Sequence, residues 1–287
     1  MVSIVIPTHN RDKWLRHAVD SVRRQTFTDW ELFLIDDGST DDTKAWASSP
    51  TDRRIRYIEC AHRGVSAARN LGIRLSERPW IAFLDSDDEW KPDKLAAQFD
   101  AIRRETGRFR ICYTDEIWIR RGRRVNPREK HRKVSGWMYR PSLRLCLISP
   151  SSVLLHRSIL DECGEFDERY PVCEDYELWL RVTSRFPVLF VPKPLIVKHG
   201  GHADQLSVSR WGLDRYRVRA MLARLRSGTL SYQQTIWTRQ EIRRKALVLA
   251  KGYANRDKPG PARAYRHLAE ACDPGETRLW TGLAPRG

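Results

Sequence analysis

The sequence predicts an α/β fold: a mostly parallel sheet flanked by helices, with a helical extension at its C-terminal end. Short apolar, β-branched runs alternate with segments whose apolar residues recur at helical spacing, and strands alternating with helices pair in parallel under two helical layers. Each run also stops in a polar or acidic cluster, and that is the edge where such sheets bind ligands. Beyond Ser207 only helical spacing continues, which predicts the extension.

The first run, Val2 to Ile6, is stopped by Pro7 and followed by Thr8-His9-Asn10-Arg11, so it reads as strand then loop. Leu15, Ala18, Val19 and Val22 fall on one buried helical face. Trp30 to Ile35 forms a second strand that runs into Asp36-Asp37-Gly38-Ser39-Thr40-Asp41. A third, Ile55 to Cys60, passes through Gly64 into a helix whose Ala67, Ala68, Leu71 and Leu75 are expected to pack closely on the sheet. Trp80 to Leu84 is the fourth strand, and Arg110 to Ile119 is strand-like. Leu178, Trp179, Leu180 and Val182 predict a largely buried helix. In the extension, Tyr216 to Leu225, Ile242 to Tyr253 and Ala262 to Ala271 are helical, separated by Ser227-Gly228 and Pro259-Gly260-Pro261.

The fourth strand ends in Asp85-Ser86-Asp87-Asp88, three carboxylates in four residues. Folding has no use for so much negative charge at the end of a buried strand. A hard divalent ion does, because Mg2+ and Mn2+ take oxygen ligands from one or two carboxylates and complete their shell with substrate phosphates and water. The plainer alternative is a solvated acidic turn capping the helix that opens near Lys91 to Lys94. Glu174 and Asp175 carry the same ambiguity, since acids suit a helix N-terminus by its dipole as well as serving as bases.

Five motifs taken together resemble the ordered series of the family 2 glycosyltransferases: Pro7 to Arg11, Asp36 to Asp41, Gly64 to Gly72, Leu84 to Asp88 and Cys173 to Trp179. The match spans roughly residues 1 to 208. It implies a GT-A fold, a Rossmann-like nucleotide-sugar-binding domain over 1–208, with 209–287 as a basic helical extension. It further implies inverting transfer of a sugar from a nucleoside diphosphate to a hydroxyl acceptor, helped by Mn2+ or Mg2+. Position by position, the resemblance puts Pro7, Thr8, Asn10, Arg11, Asp36, Asp37, Arg69 and Asp85 in the nucleotide pocket, with one of Asp36 and Asp37 accepting the imide N–H of uracil. Asp85 and Asp87 would hold the metal, Asp175 would act as the base with Glu174 beside it, and His202 of the closing Gly200-Gly201-His202 loop would reach the metal or diphosphate. A UDP-sugar donor and a saccharide or lipid-linked saccharide acceptor follow from the same resemblance.

Charge narrows the partners. Fifty-two basic against 36 acidic residues give +16, and 17 Lys and Arg against 6 acids lie between Gln205 and Gly287. A second basic cluster runs from Arg120 to Lys133. A nucleic-acid-binding protein would explain the charge, but carboxylates at two strand ends repel phosphate unless a cation intervenes. A nucleotidyltransferase would need a Gly-rich or Lys-containing phosphate loop near the start, and Pro7 to Arg11 has neither. The basic surface is either simply solvated or attracts an anionic acceptor or an acidic membrane face. The first strand begins at residue 2, no apolar run approaches membrane length, and the six cysteines lack Cys-x-x-Cys spacing. A cytoplasmic enzyme with reduced thiols is expected, either free or at the inner face of the membrane, and the helices leave a homodimer open.

Overall fold

A computed structural model describes residues 1–48, 52–126, 129–201 and 211–273. Its strands are β1 (Val2–Thr8), β2 (Trp30–Asp37), β3 (Ile55–Cys60), β4 (Trp80–Phe83), β5 (Asp88–Trp90), β6 (Ile111–Arg120), β7 (Arg123–Val125), β8 (Val153–His156) and β9 (Leu189–Gly200). The helices are α1 (Asp12–Arg23), α2 (Thr43–Ala47), α3 (Val65–Leu75), α4 (Lys94–Arg104), α5 (Tyr139–Arg144), α6 (Ser158–Cys163), α7 (Glu174–Thr183), α8 (Leu213–Arg226), α9 (Tyr232–Ala254) and α10 (Pro259–Ala271).

The sheet runs β3-β2-β1-β4-β8-β6-β9-β5, with β7 paired to β6. β1, β2, β3 and β4 are parallel, β8 enters antiparallel between β4 and β6, and β6 and β9 are parallel again. Two apolar layers cover it. One joins Ile4, Ile6, Leu32 and Leu34 to Leu15, Ala18, Val19 and Val22 of α1, the face that sequence spacing predicts. The other joins Val5, Phe33 and Phe83 to Ala68 and Ile73 of α3 and Leu178, Trp179 and Val182 of α7.

In helix α3, Ala67, Ala68 and Leu71 pack on the sheet as expected, and Leu75 does not. Leu75 is 39% exposed, whereas Ala68, Arg69, Gly72 and Ile73 face inward. The approach at Gly72 is close: a Cβ there would stand 2.4 Å from Val5 Cγ1. With no side chain at 72, α3 lies flat on β1 and carries Arg69 under the sheet edge.

Helices α8, α9 and α10 share an apolar core with α5 and α7, in which Val218, Met221, Ile242 and Leu249 meet Tyr139, Tyr176 and Leu180. The expected division at 208/209 falls outside the described residues. Pro259 opens α10 at its first turn, where a missing N–H costs nothing, so the Pro-Gly-Pro stretch starts a helix as well as separating two. All six cysteines are free, with Cys112 and Cys272 buried and the other four half-buried. No helix among the described residues is long and apolar enough to cross a membrane.

Candidate active site

The carboxyl ends of β1, β2 and β4 converge with the N-terminus of α7. At the end of β1, Pro7 and Thr8 are buried. Asn10 follows with φ 53°, a left-handed conformation that Asn tolerates better than most residues. It ties two loops together: its N–H donates to Ser39 Oγ (2.9 Å) and its Oδ1 accepts from Thr40 N–H (2.7 Å). Arg11 reaches from the same loop to Asp87 Oδ2 (3.1 Å).

Asp36 and Asp37 are both buried and both bonded within the protein. Asp36 accepts from Ser39 N–H (2.8 Å) and the Tyr57 hydroxyl (2.7 Å), and burial, then Asp36 itself, raises the Tyr57 phenol well above its ordinary value. Asp37 accepts from the backbone N–H groups of Arg63 (2.7 Å) and Gly64 (2.8 Å). A carboxylate oxygen has two lone pairs, so these bonds orient the acids without exhausting them. Two histidines without an assigned role in the sequence analysis wall this corner. His9 and His62 stack with ring centroids 4.2 Å apart, and both donate from Nδ1 to the Asp37 carbonyl.

Arg69 is expected near the ribose or pyrophosphate. The structure places it 3% exposed, bridging Asp85 Oδ1 (2.7 Å) and Glu174 Oε1 (2.8 Å). Burial opposes its charge, but the two carboxylates outweigh burial and hold the guanidinium above its ordinary value. Glu174 goes the other way for an acid. Burial and then the adjacent Asp175 raise it despite Arg69. The triad therefore couples the strand-end acids to α7 across 89 residues of sequence.

Cys173 stands just before α7 with φ 62°. A left-handed cysteine costs of order 1 kcal/mol and more and marks a position fixed by its surroundings. The turn separates the two acids that follow: Glu174 points to Arg69, while Asp175, only half-buried, accepts from the Cys146 thiol (3.2 Å) and from Tyr176 N–H (2.7 Å). Burial and then Asp175 push the Cys146 thiol well above its usual range, so it is a protonated donor. Cys146 was invisible in the sequence because nothing in its spacing links it to residue 175. Ser151 is a second such residue: it accepts from Asp85 N–H (3.1 Å) and donates to Asp88 Oδ2 (2.6 Å).

Among the expected metal ligands, Asp85 and Asp87 are partly exposed, with side chains 25% and 20% accessible. Asp88 is buried, burial raises it well above the carboxylate range, and its Oδ2 is taken by the Ser151 hydroxyl. Among the described residues no group of three or more His, Cys, Asp or Glu side chains is arranged to hold a metal ion. Two accessible oxygen donors two residues apart still match an ion that takes most of its shell from phosphate and water. His199 bonds Glu89 Oε1 (3.0 Å) and lies against Trp14, away from that pair of acids in its contacts. His202 lies outside the described residues.

Comparison with known proteins gives the family and the fold. The family model described as Glycosyl transferase family 2 matches residues 3–164. WfgD of Escherichia coli, a UDP-Glc:alpha-D-GlcNAc-diphosphoundecaprenol beta-1,3-glucosyltransferase, is 31% identical over 188 residues, 63% of this chain and 69% of that protein. A Rickettsia felis protein named only as a glycosyltransferase is 33% identical over 201 residues, 68% of this chain. The chain spans about a third of the length of that relative, 32%. Among solved structures, S. aureus TarS 1-349 in complex with UDP-GlcNAc superposes with a TM-score of 0.67 at 16% identity, covering 94% of this chain and 90% of that one. The fold is therefore of the GT-A glycosyltransferase type.

Proposed function

The chain belongs to glycosyl transferase family 2, and from that premise we propose that it moves a sugar, with inversion, from a UDP-sugar to a hydroxyl of a lipid-linked saccharide. The single observation that carries the reading is the Arg69 triad, because it sets the Asp85–Asp87 edge and the Glu174-Asp175 helix terminus at fixed separation. Donor chemistry belongs at the first and acceptor chemistry at the second. The UDP donor finds support in the relatives' printed substrates and in TarS bound to UDP-GlcNAc, and the lipid-linked acceptor in WfgD.

In this reading Asp85 and Asp87 would hold Mn2+ or Mg2+. Such an ion supplies Lewis-acid neutralisation of the departing diphosphate. Thr8, Asn10 and Arg11 line the nucleotide side, and Asp36 or Asp37 accepts the imide N–H of the base beside the His9–His62 stack. Asp175 removes the acceptor proton as that oxygen attacks the anomeric carbon from the face opposite the diphosphate. Cys146 keeps one oxygen of Asp175 oriented, and Glu174, held by Arg69, anchors the helix terminus.

The test is kinetic. Asp175→Asn is expected to leave UDP affinity intact and lower turnover about 10²-fold or more, the scale of a lost general base. UDP with Mn2+ should protect against thermal unfolding more than GDP does, because stabilisation grows as RT ln(1 + [L]/Kd). Full turnover in EDTA, stronger protection by GDP, or an Asp175→Asn variant of unchanged kcat would overturn the corresponding part.

A further inference from the structure

The outer side of α9 carries a pattern that the bundle's own packing does not use. Ile242, Ala246, Leu249 and Tyr253 point into the core, while Arg244, Leu247, Val248 and Lys251 are exposed one turn apart. Leu247 and Val248 stand side by side on this face, 46% and 55% exposed. Shallow grooves flank them. The groove toward α10 is lined by Leu247, by Arg243, Lys251 and Arg266, and by Glu270 and Asp273, so its cations exceed its acids by one, and the groove on the other side by Val248 and Trp211. The Trp211 ring is 43% exposed, rests edge-on against Tyr253 (5.2 Å) and lies beneath the Arg256 guanidinium (4.4 Å).

We propose that this face docks the enzyme on an anionic lipid surface. Trp211, Leu247 and Val248 would sit at headgroup depth, with Arg244, Lys251 and Arg266 on lipid phosphates. Charge complementarity favours this occupant: residues 211–273 hold 14 Lys and Arg against 5 Asp and Glu. An amphipathic helix with basic residues around an apolar stripe and an aromatic ring at its border is the form that lies in a bilayer interface. Arg244 pairs with the buried Glu241, and Lys245 stays 3.4 Å from that carboxylate when Arg244 turns to a phosphate. A second copy would bring like charge against like across a two-fold axis. Nucleic acid would satisfy the cations but leave Leu247 and Val248 facing phosphate and sugar.

The location gives the docking a purpose. Leu213 O lies 3.9 Å from Cys173 Sγ, immediately before Glu174-Asp175, and Trp211 is two residues away, at most about 7 Å of chain. The face therefore begins beside the base helix, where a membrane-borne acceptor would have to arrive. This purpose rests on the lipid-linked acceptor reading, whereas the docking itself is measurable without any acceptor.

The full chain would be sedimented with phosphatidylglycerol–phosphatidylcholine vesicles and with pure phosphatidylcholine vesicles. Binding is expected only to the first and should weaken with salt. Arg244→Ser, Lys251→Ser and Arg266→Ser together should weaken it about 10²- to 10³-fold, at roughly 1 kcal/mol for each basic residue near the surface. Leu247→Ser with Val248→Ser should remove the binding that survives at high salt. Hydrolysis of the UDP-sugar by water should be unchanged in both variants. Equal binding to both vesicle types, wild-type vesicle binding by the triple variant, or a dimer or an RNA oligonucleotide complex lost in its place would overturn the proposal. Vesicle binding without any UDP-sugar turnover would sink the enzymatic reading and leave the docking standing.

Discussion

The sheet's carboxyl edge and the C-terminal bundle each bury a cation between two carboxylates, and the two sites are built differently. At the edge, Arg69 serves Asp85 and Glu174, and among the described residues it is the one cation within ion-pair distance of either. In the bundle, Lys245 is 2% exposed between Asp214 (3.0 Å) and Glu241 (3.4 Å), but Asp214 also has Arg217 (3.0 Å) and Glu241 also has Arg244 (2.6 Å). The bundle is redundant and the edge is not. Redundancy suits a scaffold, whereas singly paired acids remain able to respond to an incoming ion or substrate. A third buried cation shows the limit of the series. Lys94 is fully buried, donates to the Val153 carbonyl (3.2 Å), lies 3.9 Å from the Trp90 ring centroid, and has no ion-pair partner among the described residues. Burial drives its pKa down to about 7.

Removing the edge cation should break the comparison most visibly. Arg69→Met would leave the buried Glu174 and the half-buried Asp85 without compensation, at a cost of about 3–5 kcal/mol in urea denaturation. Adding Glu174→Gln should recover part of that loss by removing one charge. If Arg69→Met cost no more than the matching bundle variant, the asymmetry between the regions would be wrong. That matching variant is Lys245→Met, expected to cost about 1–3 kcal/mol, chiefly for the Arg144 carbonyl that Lys245 now bonds (3.2 Å). A loss equal to that of Arg69→Met would show that Arg217 and Arg244 do not substitute.

The smallest effect is a slope. Lys94 is lowered from 10.5 in the unfolded chain to about 7 when folded, so between those values unfolding takes up a proton and stability rises with pH. The rise is at most about 1.4 kcal/mol per pH unit and levels off below pH 7, where the folded lysine is also charged. Lys94→Met should lack this slope when both proteins are unfolded in urea at pH 7.5 and pH 9.5. Parallel pH profiles would mean that Lys94 stays charged in the core, held by the indole ring.

Much of the site was readable before the fold because its residues sit in short contiguous motifs at strand ends. Asp36-Asp37, Asp85 to Asp88 and Glu174-Asp175 are each local, and the strand-to-loop transitions before them were marked by apolar runs stopping at polar residues. Where the sequence reading went astray, the cause was geometry between segments. Leu75 looks like a packing residue by periodicity, yet it is exposed at the end of α3, while Arg69 and Gly72 are buried beside the expected Ala67 and Ala68. Strands β5, β7, β8 and β9 were not foreseen, since β5 and β7 are three residues long and β9 is interrupted by Pro192 and Pro194.

By itself the sequence determined the alternation of strands and helices, the edge at which the acids gather, and the excess of positive charge beyond residue 205, because each depends on residue type and near-neighbour spacing. Only the tertiary structure decided that Arg69 is a buried bridge and that Cys146 holds Asp175. It also decided that Asp88 is an inward acid bonded to Ser151 and that Leu247 and Val248 face outward beside a groove of mixed charge. Those outcomes depend on which partners come within about 3–4 Å of one another, and that is fixed by packing between segments distant in the chain.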